Sequence, residues 1–159
     1  MSRYFAVCDS FKDKGIMMPK RSTAGSAGYD FYSAEEVVLP SVWNTIWKWV
    51  QKKPVNPVSV PTHIKAKMRG NEVLFLYNRS SNPRKGLILA NSVGVVDSDY
   101  FGNKNNDGDI SFPFYNIMPW SVTIKKGQKI GQGVFSTYLK TNDDIASGKR
   151  EGGFGSTGE

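Results

Sequence analysis

Short apolar runs recur along the chain and are separated every few residues by Gly, Pro, Asn or Asp. Runs with this punctuation are typical of β-strands joined by tight turns. The pattern predicts nine strands: Tyr4–Val7, Val37–Leu39, Ile64–Met68, Val73–Tyr77, Leu87–Leu89, Val93–Val96, Ile110–Tyr115, Ser121–Ile124 and Val134–Thr137. Strands at this spacing indicate an all-β barrel or sandwich.

One window, Ser41 to Lys53, has the periodicity of a helix. Trp43, Trp47 and Val50 are spaced i, i+4 and i+7, which places them on one face of an α-helix, and the window begins with a residue type that caps helices. A second interpretation is an aromatic hairpin in which Trp47 and Trp49 share a face. We predict a short helix.

The length of 159 residues and the aromatic content of 13% suit one domain with a packed core. No internal repeat or linker divides the sequence, so we predict a single domain over residues 1–159. Eight of the 16 glycines lie in the last 33 residues. That concentration predicts a mobile C-terminal arm, residues 147–159, which needs a partner to become ordered.

The formal net charge of +7 is unevenly distributed. Residues 1–80 carry 12 Lys/Arg against 6 Asp/Glu, whereas residues 81–159 carry 9 against 8. Such a balance indicates a polyanionic partner, either nucleic acid or a phosphate-rich small molecule, because opposite charge speeds the encounter with either. Charge that serves solubility alone is the alternative.

No run of about 18 apolar residues occurs, and the N-terminus lacks the charged and apolar regions of a secretion signal. We therefore expect neither a membrane span nor export. Cys8 is the single cysteine, so it cannot form an internal disulfide, and we expect a small buried hydrophobic residue there. A reducing compartment, the cytoplasm, fits this composition.

Three segments have the chemistry of a candidate site, two for phosphate and one for activating a water, although the sequence contains neither a P-loop nor a Rossmann glycine pattern. The first is the run Gly152–Gly158, preceded by Lys149 and Arg150. Its glycines let consecutive backbone N–H groups converge on an anion, and Phe154 offers a ring face to a base. An unstructured tail is the alternative interpretation.

The second segment is Asn78–Gly86, a polar turn between two predicted strands. Arg79 can bond a phosphate through two nitrogens, and Ser80 and Ser81 are compact hydroxyl donors. An ordinary polar surface turn is the alternative here.

The third segment is Leu87–Gly102. Two apolar arms flank Asn91–Gly94, which predicts a β-hairpin with its glycine where a positive φ is needed. Asp97 and Asp99 follow the second arm and share a face if the strand continues. A carboxylate at the rim of an apolar wall could deprotonate a water. Two solvated aspartates at the start of a loop are the alternative.

In this order, the segments resemble the motifs of the homotrimeric dUTPase family over about Arg21 to Gly158. The motifs are similar to Ala27–Phe31, Arg79–Ser81, Asn91–Gly102, Gly127–Gln132 and Arg150–Gly158. Five motifs in the family's order are specific, whereas one alone would be weak. The sequences of the second and the last motif resemble those in enzymes of Gram-positive bacteria and their phages. The resemblance implies a jelly-roll-like β-barrel and a homotrimer in which each active site draws on all three chains.

The resemblance also implies a reaction: hydrolysis of dUTP to dUMP and pyrophosphate, by attack of water on the α-phosphorus. Asp97 would be the catalytic base for that water. A magnesium ion would bridge the phosphates, held by the protein mainly through water with Asp30 as the anchor. The residues that would bind the phosphates are Arg79, Ser80, Ser81 and Gln132.

Uracil recognition is implied for the backbone around Asn91, Gly94 and Val96, where a tight wall would exclude the methyl group of thymine. Tyr100 would pack on the deoxyribose and leave no room for a ribose hydroxyl. The C-terminal arm would close over a neighbouring subunit's site, with Phe154 stacked on the uracil. The substrate-binding residues that the resemblance implies in this arm are Arg150, Phe154, Gly155, Ser156 and Thr157.

The sequence departs from the family pattern in several places. Gly131 stands where Ala is common, and His63 stands where Gly is usual. The last motif is one residue short of its fuller form, so its phosphate contact could come from Lys149 or Arg150. Residues 41–58, with three of the four tryptophans, resemble an insertion, for which a regulatory protein partner and extra core are both open.

Two alternative functions stay open from the sequence. A related dCTP deaminase also carries an R-S-S turn, but it needs a glutamate near the base, and none of the five glutamates lies in the third segment. A non-catalytic basic module, regulatory or nucleic-acid-binding, is favoured by the +7 charge. We expect dUTP hydrolysis, with no membrane or nucleic-acid partner.

Overall fold

The computed structural model describes residues 3–148 of the chain. Over these residues the protein forms eleven strands, one α-helix and two short 3-10 turns, Asp9–Phe11 and Pro83–Lys85. The strands are β1 (Tyr4–Val7), β2 (Tyr29–Tyr32), β3 (Val37–Leu39), β4 (Val58–Pro61), β5 (Ile64–Lys67), β6 (Glu72–Asn78), β7 (Leu87–Leu89), β8 (Val93–Asp97), β9 (Ser111–Asn116), β10 (Val122–Ile124) and β11 (Lys129–Thr137). The helix α1 is Val42–Val50. The predicted all-β class with one short helix is therefore confirmed.

Each of the nine predicted strands coincides with an observed strand, and two observed strands, β2 and β4, are missed by the sequence pattern. A charged residue, Asp30, lies within β2, and β4 ends in Pro61, so both have reduced strand propensity. The fold tolerates them because both strands lie at the edges of their sheets.

Two antiparallel sheets enclose the core. The first has the order β2-β11-β6-β8 and the second the order β4-β9-β7, while β1 pairs with β5 and β3 with β10. Phe31 and Leu74 of the first sheet and Phe112 and Phe114 of the second belong to one cluster of buried side chains. The rings of Phe31 and Phe112 lie 5.6 Å apart between centroids, so aromatic packing joins the sheets.

The predicted hairpin between β7 and β8 is wrong. β7 pairs with β9 and β8 pairs with β6, so the two arms belong to different sheets. The residue with a positive φ in the connecting turn is Ser92, at 59°, and not Gly94. Gly94 instead lies in close packing, since a Cβ there would lie 3.0 Å from Leu76 Cβ on the neighbouring strand.

The helix α1 forms in place of the alternative aromatic hairpin. It ends in a Schellman motif, in which Lys53 N donates to Lys48 O and Lys52 N to Trp49 O, both at 2.9 Å, with Lys52 at a φ of 55°. Ser41 occupies the N-cap position, but its side chain makes no capping hydrogen bond. None of the nine residues of α1 is buried, so the helix lies on the surface.

Cys8 is buried, as the composition predicts, and burial raises the pKa of its thiol to about 12. The thiol is therefore protonated at neutral pH and unreactive. Between residues 3 and 148 no helix has the length and apolar character needed to cross a membrane.

Candidate active site

The first sheet brings together residues from three distant parts of the chain. In the register of β2, β11 and β6, Asp30 lies opposite Gln132, and Gly131 lies opposite Asn78. Arg79 follows directly after β6. We refer to Asp30, Arg79, Lys129 and Gln132 as the three-strand cluster. The residues expected from the sequence to bind phosphates, Arg79, Ser80, Ser81 and Gln132, thus lie on β11 or in the turn after β6, and the expected magnesium anchor Asp30 lies on the neighbouring strand β2.

The carboxylate of Asp30 is held by two donors. Lys129 Nζ lies 2.7 Å from Asp30 Oδ2, and the Ser22 hydroxyl donates to the same oxygen at 2.7 Å. Partial burial alone would raise the pKa of Asp30, but these two hydrogen bonds and the nearby charges of Lys129 and Arg79 lower it below its ordinary value. Asp30 is therefore ionised at neutral pH, next to two cations.

The turn after β6 is fixed by two asparagines. Asn82, which is 1% exposed, donates from Nδ2 to Asn78 Oδ1 and to Ile130 O, each at 2.7 Å. The backbone N of Arg79 donates to the same Asn78 oxygen at 2.9 Å, and Arg79 Nη1 donates to Lys129 O at 3.4 Å. These hydrogen bonds fix the orientation of the Arg79 side chain relative to the sheet.

The two hydroxyls expected at the phosphate site lie within this turn. Ser80 is exposed and Ser81 is half-buried, immediately after Arg79 and before the buried Asn82. Hydroxyls in such a turn can donate to an anion without a large loss of side-chain entropy, because they are short.

Gln132 lies close to the backbone of the first motif. A Cβ on Gly28 would lie 2.5 Å from Gln132 Oε1, so a larger residue there would displace the amide of Gln132. The side chain of Gln132 is half-buried against β2, beside Asp30.

Asp97 does not join the three-strand cluster within one chain. It lies opposite Val73 at one end of β6, whereas Asn78 and Arg79 lie at the other end. The five residues from Val73 to Asn78 span roughly 17 Å at about 3.4 Å per residue. β8 ends at Asp97, so the expected sharing of one strand face with Asp99 is not observed.

The turn that contains Asn91 connects β7 to β8, which belong to different sheets. Asn91 is exposed, while Gly94 and Val96 face the core, so a ligand contact by Val96 would come from its backbone. Each strand is the last of its sheet in the described part of the chain, so one edge of each is not covered by a neighbouring strand. Backbone groups at such edges can bond a ligand.

Tyr100 lies at the end of this segment and is buried, with 7% of its surface exposed. Its hydroxyl accepts a hydrogen bond from Asn106 Nδ2 at 2.6 Å and donates to Asp109 O at 3.3 Å. The ring is part of the core cluster. Its predicted contact with a sugar stays a prediction.

Some of the expected site residues lie outside the described residues 3–148: Lys149, Arg150, Phe154, Gly155, Ser156 and Thr157. Their roles stay predictions.

Sequence reasoning missed Lys129 as a site residue, together with Ser22 and the two asparagines of the turn. Lys129 lies within the fourth motif, but its partner Asp30 lies on β2, a strand that the sequence pattern missed, so no local signal paired the two. The i, i+4 spacing of Asn78 and Asn82 across a turn was an available signal, since amide side chains at such positions often bond to the backbone. Ser22 had no signal, because it precedes the first motif by several residues.

Comparisons with known proteins agree on one family. Residues 14–158 match the family model described as dUTPase. The chain is 44% identical over 159 residues to the deoxyuridine 5'-triphosphate nucleotidohydrolase of Lactococcus lactis subsp. lactis, covering 98% of this chain and 97% of that protein.

Solved structures give the same family. The crystal structure of dUTPase from Streptococcus mutans matches with a TM-score of 0.75 and 39% identity, covering 87% of this chain and 98% of that one. A mutant dUTPase from phage phi11 of S. aureus matches with a TM-score of 0.63 and 18% identity, covering 91% of this chain and 99% of that one, and shares the fold. That phage structure is described as revealing the coordination of a structural Mg(II) ion.

Proposed function

The chain belongs to the dUTPase family and hydrolyses dUTP to dUMP and pyrophosphate, and we propose that it does so with Asp97 as catalytic base in sites shared between three copies. The jelly-roll-like β-barrel of the family accommodates both antiparallel sheets. The alternatives of a dCTP deaminase and of a non-catalytic basic module are not retained, because the matched relatives carry the dUTP-hydrolysing name over almost the whole chain.

The separation of Asp97 from the three-strand cluster supports the shared site. Asp97 on β8 lies beside Val73, whereas Arg79 follows Asn78, and Val73 and Asn78 are roughly 17 Å apart along β6. A water activated by Asp97 has to lie about 3 Å from the phosphorus whose oxygens Arg79 binds. One chain cannot supply both contacts to one nucleotide, whereas a second copy can bring its own Asp97 to the first chain's cluster.

The three-strand cluster holds the phosphates in this proposal. Arg79 and the Ser80 and Ser81 hydroxyls donate to phosphate oxygens, and the amide of Gln132 bonds the α-phosphate. Because Asn82 and Lys129 fix the turn and the guanidinium beforehand, little reorganisation is needed as charge develops in the transition state. Asp97 accepts the proton of the attacking water, and pyrophosphate leaves.

The residues present fit the magnesium ion that the family implies. In residues 3–148 no group of three or more His, Cys, Asp or Glu side chains could cage a metal. Mg²⁺ retains several waters and takes one or two carboxylates plus substrate phosphates, so a single ionised Asp30 beside the phosphate residues suits it. Asp30 would hold the ion through water, and the bound ion would neutralise charge on the phosphates.

Base and sugar recognition is assigned to the β7–β8 region. Backbone groups of Asn91 in the turn and of Gly94 and Val96 on β8 present donors and acceptors to the uracil, and cytosine would leave them unpaired. Tyr100 lies below the sugar and excludes a ribose hydroxyl. The C-terminal arm, residues 147–159, covers the site from a neighbouring subunit, with Phe154 on the base.

The proposal also covers the binding partners of the protein and its location in the cell. The substrate dUTP accounts for a basic surface without a nucleic-acid partner, and the protonated, buried Cys8 suits the reducing cytoplasm. Within the 41–58 insertion, the helix α1 serves a regulatory protein partner, since none of its residues is buried, whereas Val58 at the end of the insertion packs against the core.

A pyrophosphate-release assay with dUTP, dTTP, dCTP and UTP, first with Mg²⁺ and then with chelator, tests the proposal. We expect fast release from dUTP, release slower by a factor of about 10² or more from the other three, and a loss of rate on chelation. Comparable rates for dTTP or UTP would contradict the assigned base and sugar contacts. Ammonia release from dCTP would contradict the reaction itself.

A further inference from the structure

The helix α1 carries an apolar face that the fold does not use. Trp43 is 61% exposed, Trp47 65%, Val50 63% and Ile46 40%. Single exposed apolar side chains are common on protein surfaces, but four on one nine-residue helix form a contiguous patch, and such patches mark interaction sites.

The helix is nevertheless anchored at both ends. Val42 N donates to Met118 O at 2.9 Å at its start, and the Schellman motif around Lys52 closes its end. Beyond the helix, Tyr115 OH donates to Val55 O at 3.3 Å. The chain therefore presents α1 in a defined position, with its apolar face outward.

The spacing of the exposed residues is informative about the shape of the partner. Trp43, Ile46, Trp47 and Val50 occupy positions i, i+3, i+4 and i+7, the anchor pattern of a helix that lies in a groove. Trp49 is 74% exposed and lies about 200° around the helix axis from Trp47. A groove with two walls contacts both tryptophans at once, whereas a flat lipid surface contacts one side of the helix.

The charge around α1 indicates the chemistry of the partner. Residues 42–53, which comprise α1 and its C-terminal turn, contain Lys48, Lys52 and Lys53 and no Asp or Glu. A second copy would bring the same cations to the contact and be repelled. Ile46 and Val50 cannot stack on bases, so the anchors are not those of a nucleic-acid platform.

We propose that α1 docks into an apolar, acid-rimmed groove of a protein partner, with Trp43, Ile46, Trp47 and Val50 as anchors. This inference rests on the proposed partner role of the insertion and names the mode of binding and the chemistry of the partner. It does not involve the residues assigned to dUTP hydrolysis.

The probe for the test is Ca²⁺-loaded calmodulin, used as an acidic protein with an apolar groove and not as the natural partner. Binding to the full chain is followed by tryptophan fluorescence and calorimetry. We expect micromolar or tighter binding that needs Ca²⁺ and weakens with salt. Trp47→Ala should weaken it at least about tenfold, as loss of a central tryptophan anchor does.

The matched control is Trp120→Ala, since Trp120 is 62% exposed but lies outside α1. It should leave the affinity within about twofold, and Lys48→Glu with Lys52→Glu should weaken binding. Equal losses for the Trp47 and Trp120 variants, or no binding by the parent, would overturn the proposal.

Three further measurements test other occupants of this face, and only an interaction that Trp47→Ala abolishes counts against the groove model, so that the proposed trimer by itself does not. They are binding to vesicles of phosphatidylcholine with phosphatidylglycerol, binding to random duplex DNA, and sedimentation of the protein alone. A Trp47-dependent interaction confined to vesicles, to DNA or to self-association is the contrary outcome. Pyrophosphate release from dUTP is measured for every variant and should not change, so failure of this inference is distinct from failure of the proposed function.

Discussion

Lys129 holds two residues of the three-strand cluster at once. Its Nζ lies 2.7 Å from Asp30 Oδ2, and its carbonyl oxygen accepts a hydrogen bond from Arg79 Nη1 at 3.4 Å. The first contact depends on the side chain, while the second depends only on the backbone. Substitution of the side chain therefore separates the effect on Asp30 from the effect on Arg79.

Lys129→Met should lower kcat/KM for dUTP by about tenfold, because Asp30 loses the cation that orients it. The free energy of unfolding should fall by no more than about 1 kcal/mol, since the pair is partly exposed. Lys129→Arg should retain most of the activity. Steady-state kinetics and thermal melts check this, and an Arg variant as impaired as the Met variant would exclude the orienting role.

Asp97→Asn should lower kcat by a factor of about 10² or more, while dUTP binding and the melting temperature stay near those of the parent. The amide has the shape of the carboxylate but cannot accept the proton of water. Calorimetry with dUTP and single-turnover kinetics separate the two effects. Asp99→Asn is the matched control, and a loss as large there would contradict the assignment of the base.

Acid stability depends on Glu72, a buried carboxylate that is 3% exposed. Hydrogen bonds from Arg3 and from the backbone N of Arg69 lower the pKa of Glu72 from 4.5 to about 2. Because the pKa of Glu72 is lower in the folded than in the unfolded protein, its ionised form stabilises the fold. This stabilisation is complete above about pH 4.5 and is lost as the pH falls through about 2.

Glu72→Gln should therefore flatten the fall in the free energy of unfolding between pH 4.5 and 2. The slope is the measured quantity, since the substitution also lowers stability at neutral pH. Denaturant unfolding at several pH values checks it, with the exposed Glu36→Gln as control. If the free energy of unfolding of the Glu72 variant fell with pH as steeply as that of the parent, groups other than Glu72 would account for the loss of stability in acid.

At the scale of elements, β11 is the strand that organises the site, because it lies between β2 and β6. Its glycines let the backbone approach aromatic rings. A Cβ at Gly131 would overlap the ring of Phe112, and one at Gly133 would lie 2.7 Å from Phe31 Cε2. The departure from the family's common Ala at 131 thus has a cause, since Phe112 occupies the space that a methyl group would need.

Gly131→Ala should lower the free energy of unfolding by about 1–3 kcal/mol through overpacking. Phe112→Leu in the same chain should recover part of that loss, because the smaller side chain leaves room for the methyl group. Gly25→Ala is the control, since nothing lies within 4 Å of its added Cβ. Equal melting temperatures for the Gly131 and Gly25 variants would rule out the close packing.

At the scale of the whole molecule, the antiparallel pairing of β6 and β8 places Asp97 beside Val73, near the start of β6, whereas Arg79 follows the end of that strand. The distance cannot be shortened without breaking the register, because β6 also pairs with β11 over seven residues. A site that uses both residues therefore needs more than one chain. The positive charge of the molecule favours the approach of the nucleotide to each such site.

Subunit mixing tests this. Arg79→Ala and Asp97→Asn chains should each be inactive. Refolding them together in equal amounts should give mixed trimers. About a quarter of the sites in these trimers should then combine an intact Arg79 from one chain with an intact Asp97 from another. Pyrophosphate release should then reach roughly a quarter of the parent rate. Arg79→Ala mixed with Gln132→Ala is the control and should gain nothing. No recovery in the first mixture would refute the shared site.

Much of the fold could be predicted because turn residues punctuate the strands so regularly. The edge strands β2 and β4 were missed, since an internal Asp30 and a terminal Pro61 mask them. The hairpin assigned to β7 and β8 was wrong because neighbouring arms with a turn between them normally pair, and only the competing partners β9 and β6 decide otherwise. His63, at a φ of 55°, is held by Asp109 and by stacking on Phe11, which no local pattern indicates.

The sequence by itself determined the β class, the short helix, the buried cysteine and, through ordered motifs, the dUTPase family. These properties depend on local periodicity and on residue types within short segments. Only the tertiary structure decided that Lys129 pairs with Asp30, that β7 and β8 separate, and that Asp97 lies far from Arg79 in one chain. Such facts depend on strand order and register, which arise from long-range packing that no single segment encodes.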